Sequence, residues 1–170
     1  DEYQHALSFF ADLPQHHRVL WNDGPRLKAL DARLQEAGLA PQELGKGRNV
    51  WYCMGYALAT GRAEAIALHD CDILTYDRSL VAHPLFGYEF CKGYYPRVSE
   101  NKINGRVCRL LVTPMIRALK RIVGESPYLN YLDSYRYILA GEFAFRKRLL
   151  GDLRIPTDWG LEIGVVSEVY

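Results

Sequence analysis

No run of apolar residues in this 170-residue chain approaches the length of a membrane span, and the opening Asp1-Glu2-Tyr3-Gln4-His5 is not a secretory leader. An excess of charge is missing too. The 21 Lys and Arg against 20 Asp and Glu leave a net charge of +1, which argues against binding nucleic acid by bulk electrostatics and leaves only local basic patches. The cysteines Cys53, Cys71, Cys91 and Cys108 are too scattered for a zinc knuckle or a C-x-x-C redox pair, and a chain of this size needs no disulfide staples. G-x-S-x-G, H-E-x-x-H and G-x-G-x-x-G are all absent, which removes the commonest hydrolase, zinc-protease and dinucleotide readings. No internal repeat or low-complexity linker divides the chain. What is left is one ordinary globular domain, expected to be soluble and to work in a reducing cytoplasm.

Helix and strand signals alternate along the chain as in an α/β domain with a largely parallel sheet. Leu7, Phe9, Phe10 and Leu13 predict a helix ending before Pro14, and residues 18–22 read as a short strand closed by the turn Asn22-Asp23-Gly24-Pro25. Leu27, Leu30 and Leu34 mark an amphipathic helix that stops at Gly38. After Gly45-Lys46-Gly47, the residues Val50, Trp51, Met54, Ala57 and Leu58 recur at helical spacing up to Gly61. A further helix is expected from about Arg106, kinked or restarted at Pro114. A strand around residues 135–139, the segment Gly141-Glu142-Phe143-Ala144 and a last helix from about Gly160 complete the outline. With helices at both ends, the sequence reads as a fragment of a longer catalytic chain.

The chemistry is concentrated in Glu64-Ala65-Ile66-Ala67-Leu68-His69-Asp70-Cys71-Asp72, an apolar run delivered to an acidic end. Strand alternation would turn Asp70 and Asp72 to one face, with His69 and Cys71 on the other, in the packing layer. Paired carboxylates of this kind suit magnesium or manganese held against a diphosphate, at the strand ends where open α/β sheets place ligands. An Asp-rich turn is the plain alternative. Lys46, between two glycines at a helix start, offers a cation where the backbone can approach a nucleotide closely; otherwise it is a solvated lysine on a glycine turn. It is not a Walker A loop, because Ala40 and Gly47 stand where Gly and Ser or Thr are required. Gly105-Arg106 at a helix start suits a phosphate, or forms an ordinary solvated face. Glu142, at an expected strand-to-helix corner, and Glu162, near the last helix start, suit sugar or acceptor hydroxyls, or merely favour a helix dipole. His16, His17, His69 and His83 lack metal-ligand spacing, and Tyr94, Tyr95, Tyr128, Tyr131, Tyr135 and Tyr137 could line a sugar cleft or a partner surface but read more readily as half-buried packing.

Taken in order, Gly45-Lys46-Gly47 with Trp51, Asp70-Cys71-Asp72, Gly105-Arg106-Val107, Gly141-Glu142-Phe143-Ala144 and Gly160-Leu161-Glu162-Ile163-Gly164 resemble the glucosyl-3-phosphoglycerate synthases and their mannosyl relatives, from about Trp21 onward. The resemblance implies a GT-A fold and a retaining glycosyltransferase. Such an enzyme moves a hexose from UDP-glucose or GDP-mannose to the 2-hydroxyl of 3-phosphoglycerate, a step towards glucosylglycerate or mannosylglycerate. It further implies Mg2+ or Mn2+ on Asp70 and Asp72, donor contacts from Lys46, Asp70, Cys71 and Asp72, and acceptor contacts from Gly105, Arg106, Cys108 and Glu162. Asp72 and Glu142 are the implied catalytic residues, Glu142 as a contact to the hexose, and a homodimer is implied as well. Cys71 stands where the family often has serine, and Cys108 where it commonly has threonine. Family members also carry a base-binding first strand and a later metal-ligand histidine, both expected to be missing here. A non-catalytic remnant of the same fold, binding a nucleotide or a protein, is the competing expectation.

Overall fold

The computed structural model describes residues 1–41, 43–74, 76–77, 79–82, 87–99 and 102–170; His83 lies outside them. The first half is helical. Helix α1 (Glu2–Ala11) ends ahead of Pro14, and α2 (Pro25–Glu36) starts on a proline, whose missing N–H costs nothing in a first turn. Helix α3 (Lys46–Thr60) runs between the glycines that the sequence marks as its limits. Strand β1 (Ala65–Leu68), the short α4 (Ser79–Ala82), β2 (Phe90–Lys92) and the small pair β3 (Val98–Ser99) and β4 (Lys102–Ile103) follow. A π-helical turn, Cys108–Val112, then leads into α5 (Thr113–Val123), with Pro114 in its first turn as the restart point. Helix α6 (Pro127–Ser134), strand β5 (Phe143–Arg146), α7 (Lys147–Leu150) and α8 (Leu161–Val169) close the chain.

The main sheet has the order β1-β5-β2, and both pairings are antiparallel, with Leu68 and Lys92 each opposite Phe143. The largely parallel sheet expected from the alternation of elements is therefore corrected for the described strands. Its central strand arrives from far down the chain, so no short β-α-β crossover dictates its direction. β5 is buried throughout Phe143, Ala144 and Phe145, as a strand covered on both faces must be.

Two expected strands are absent. Among the described residues no strand pairs with residues 18–22, which are irregular up to a turn at Asn22, and Trp21 stacks on Tyr3 at 5.1 Å. Residues 136–139 are a turn, closed by the Ala140 N–H donating to the Tyr137 carbonyl at 3.1 Å. Its alternating Tyr and aliphatic residues bury Ile138 without forming a ladder.

Two apolar clusters meet along α8. Val165 packs with Met54, Phe143, Phe145, Leu150 and Leu161, while its neighbour Val166 packs with Cys108, Ile116, Leu132 and Ile138. Helix α3 is fixed from two sides. Its first turn docks on the loop before α8, with Gly47 N–H donating to the Asp158 carbonyl at 3.0 Å and Arg48 N–H to that of Thr157 at 2.8 Å. On the other side, buried Arg48 meets Asp31 of α2 at 3.3 Å, and the Tyr52 hydroxyl donates to the same carboxylate.

That Tyr52 hydrogen bond, joined by Arg48, holds the Asp31 carboxyl below its ordinary value of 3.8, and burial pushes Tyr52 up to about 12. Asp31→Ala strands the Arg48 charge and is expected to cost about 3 kcal/mol in urea unfolding at pH 7. The folded-state value is the depressed one. The stabilisation is thus fully present above pH 3.8 and lost as pH falls through the lower folded value, so the gap between wild type and variant narrows only in strong acid.

Candidate active site

The glycine-flanked start of α3, the exit of β1 and the first turn of α8 converge on one cation. Lys46 Nζ donates to Asp70 Oδ1 at 2.5 Å and to Glu162 Oε1 at 2.8 Å, joining residues 24 and 116 positions apart. All three side chains are partly buried. Burial alone would lower the Lys46 pKa, but the two carboxylates outweigh it and the group is raised overall. The ammonium is therefore held charged against a pair of acids at the mouth of a cleft of about 330 Å3. Asn49, Val50, Met54, Leu68 and Gly141 are among the residues that line it.

Gly141 is required there for space. A Cβ on it would stand 2.4 Å from Asp70 Oδ2 and 2.6 Å from Oδ1, so only a bare backbone lets the Asp70 carboxylate lie against the entry to β5. The next residue, Glu142, is almost fully buried, and its Oε1 has no hydrogen-bond partner among the described residues. The Tyr95 hydroxyl hydrogen-bonds this carboxylate; burial first, and then Glu142, pushes Tyr95 up to about 12. Glu142 leads into a strand, so the strand-to-helix corner and the helix-dipole role expected for it are both corrected. An unpaired buried carboxylate oxygen is costly, and this one follows Gly141, which lines the cleft.

The carboxylate pair is not presented as strand alternation implies. β1 stops at Leu68, so Asp70 follows in an irregular segment while Cys71 and Asp72 occupy a turn. Cys71 is exposed there, which corrects its expected inward placement: once the chain leaves the ladder, period-two alternation no longer applies. Asp72 is exposed beside it. His69 is half-buried, edge-on to Tyr76 at 5.4 Å, with no hydrogen-bond partner for either ring nitrogen among the described residues.

The expected phosphate site lies at a true helix start. Gly105 has φ +79°, a left-handed conformation that favours glycine, and a Cβ there would meet the Tyr137 ring at 3.3 Å. Arg106 beside it is exposed, whereas Cys108 is buried in the core with Ile116 and Leu132. Cys108 is thus not on the surface shared by Gly105 and Arg106, because the π-helical turn rotates it inward. Arg97 reaches the same place, donating to the Tyr137 hydroxyl at 3.2 Å. Sequence reasoning missed Lys92 and Arg97, and weighed Tyr95 only as one of several tyrosines for a sugar cleft or for packing. The available signal was a charge in the aromatic run Phe90-Cys91-Lys92-Gly93-Tyr94-Tyr95.

The fold is similar to that of solved GT-A glycosyltransferases. The particular likeness is to glucosyl-3-phosphoglycerate synthases. The chain is 47% identical to that of Persephonella marina and 39% identical to that of Methanococcoides burtonii, in both cases over its whole length, beyond the expected start at Trp21. It spans 44% of the length of each of these curated relatives. No protein-family model matches it. Among solved structures, the Mycobacterium tuberculosis glucosyl-3-phosphoglycerate synthase in complex with phosphoglyceric acid is 26% identical with a TM-score of 0.55, covering 79% of this chain and 43% of that one. The same enzyme in complex with Mn2+, UDP-glucose and phosphoglyceric acid superposes with a TM-score of 0.56 at 24% identity, over the same shares of the two chains.

Proposed function

We propose that the protein is a metal-dependent retaining glycosyltransferase that moves glucose from UDP-glucose to 3-phosphoglycerate. The observation that carries this reading is the meeting of Lys46, Asp70 and Glu162 at the cleft, together with a buried Glu142 carboxylate oxygen that has no partner among the described residues. The likeness to the two curated synthases supplies the substrate classes.

Among the described residues no group of three or more histidine, cysteine or acidic side chains gathers as a metal site, so Asp70 and Asp72 are the pair this segment offers. Two hard oxygen donors fit magnesium or manganese, which keep their remaining positions for water and phosphate oxygens. Bound there, the ion would neutralise the diphosphate as it leaves. Lys46 adds a second positive charge near that leaving group, anchored by Glu162. Glu142 accepts a hydrogen bond from a hexose hydroxyl and fixes the ring. Gly105 N–H and the Arg106 guanidinium hold the acceptor phosphate, which aims the 2-hydroxyl at the sugar. The bond from the anomeric carbon to the donor phosphate breaks and one to the acceptor oxygen forms on the same face. The acceptor proton passes to a phosphate oxygen of the departing UDP.

UDP-glucose is favoured over GDP-mannose because both curated relatives are glucosyl enzymes. We assign the protein to the cytoplasm, as its four free cysteines suit a reducing compartment, and expect a homodimer. No helix among the described residues is long and apolar enough to cross a membrane. Calorimetric titration of UDP-glucose into the full-length protein is expected to give binding about tenfold tighter with Mn2+ than without, and weaker binding of GDP-mannose. Binding indifferent to Mn2+ would remove the metal from the donor site, and tighter GDP-mannose binding would reverse the choice of donor.

A further inference from the structure

Lys92 ends β2 in a strand otherwise made of apolar residues, and it has no role in the chemistry above. Its ammonium donates to the Ala140 carbonyl at 2.6 Å and lies 5.0 Å from the centre of the Phe143 ring. Ala140 and Phe143 bracket Gly141 and Glu142. The next residue completes the clasp, since Gly93 N–H donates to the Glu142 carbonyl at 2.7 Å. That approach is close enough that a Cβ on Gly93 would sit 2.9 Å from the Glu142 Cβ. Tyr95, two residues further on, holds the Glu142 side chain itself. One short segment, 92–95, therefore grips the 140–142 segment at its carbonyls and at its carboxylate.

A neutral residue would satisfy packing here better than a lysine. Burial pushes Lys92 down to about 8, although Glu162 and Glu142 both favour its charge; Lys46 opposes it and Asp70 favours it. Those four groups come from α8, the entry to β5, α3 and the exit of β1. The lysine thus stands on the inner side of the same charged cluster that faces the cleft.

We infer that Lys92 is a positioning residue for the transfer reaction: by holding the Ala140 carbonyl under the charge of the cluster, it fixes the backbone that aims Glu142 at the donor sugar. The inference rests on the glycosyltransferase reading and adds to it a residue outside the cleft. Losing the grip shifts Glu142 without removing it, so turnover suffers more than donor capture, which belongs to Lys46 and the carboxylate pair.

The test compares Lys92→Met, Lys92→Leu and Lys92→Arg in the full-length protein, with the wild type assayed in parallel on UDP-glucose, Mn2+ and 3-phosphoglycerate. Lys92→Met is expected to lower kcat about 100-fold while the donor KM stays within about twofold, and Lys92→Arg, which can still donate to Ala140, is expected to recover most of the loss. An unchanged kcat in Lys92→Met, or a loss that arginine does not recover, overturns the assignment. If Lys92→Met does not fold, Lys92→Leu, which likewise has no donor for the Ala140 carbonyl, gives the same reading. A second readout needs no turnover: exchange of the Gly93 amide proton, whose acceptor is the Glu142 carbonyl, is expected to quicken about tenfold without Lys92. An inactive wild type would end the glycosyltransferase reading by itself. Unchanged Gly93 exchange would end the Lys92 inference whether or not the wild type is active.

Discussion

Gly47→Ala is expected to destabilise the protein by about 3 kcal/mol, near the top of the range for forcing an atom into a packed site. The added Cβ would lie 1.9 Å from the Pro156 carbonyl oxygen, 2.8 Å from its carbon and 3.0 Å from the Asp158 carbonyl oxygen. All three are backbone atoms, so no side chain can swing aside. Relief requires the first turn of α3 to lift off the loop before α8, breaking the hydrogen bonds from Gly47 to Asp158 and from Arg48 to Thr157. Lys46 sits on that turn and moves with it, so the bridge to Asp70 and Glu162 is lost along with the stability. Urea unfolding reads the first effect, and a wild-type midpoint would show that the loop does not press on α3.

Asp70→Ala is expected to lower turnover about a thousandfold while leaving the fold in place, because it removes a charge-stabilising group from the leaving-group side of the reaction. Asp70 is about one-third exposed and its side chain is not packed in either apolar cluster. Thermal unfolding within a few degrees of wild type is therefore expected. The variant also removes one of the two carboxylates on Lys46, leaving Glu162. A matching loss in Asp72→Ala would tie the effect to the pair, since exposed Asp72 takes no part in the Lys46 bridge. Full activity in Asp70→Ala would remove this turn from the mechanism.

What the sequence disclosed was local. The limits of α3 follow from Gly45 and Gly61 around residues at helical spacing, and the restart at Pro114 follows from its missing donor. The acidic turn was legible as residue types, because hard ligands at the end of an apolar run carry their chemistry with them. Its geometry was not, since alternation was carried past Leu68, where the ladder stops. Non-local pairings were beyond reach. Nothing near Phe143 in sequence says that it pairs with both Leu68 and Lys92, or that this makes the sheet antiparallel. The apolar alternation at 135–139 resembles a strand because one side of that turn is buried as a strand face would be. Glu142 looked like a corner residue because β5 is only four residues long and begins just after it.

The same division runs through the site. Lys46, Asp70, Glu142 and Glu162 were each singled out by family likeness, and the bridge that gathers Lys46, Asp70 and Glu162 is a tertiary fact. Lys92 carried a weaker signal, a lone charge in an apolar strand, and acquires meaning only from the carbonyl it faces.

The most direct measurement is turnover by the full-length protein with UDP-glucose, Mn2+ and 3-phosphoglycerate, followed by identification of the anomeric configuration of the product, with Asp70→Ala as control. Release of UDP with formation of an α-linked glucosyl-3-phosphoglycerate, lost in the control and on chelation of the metal, is the expected result. Donor binding without any transfer to 3-phosphoglycerate would contradict the account and leave the fold as a nucleotide-binding remnant.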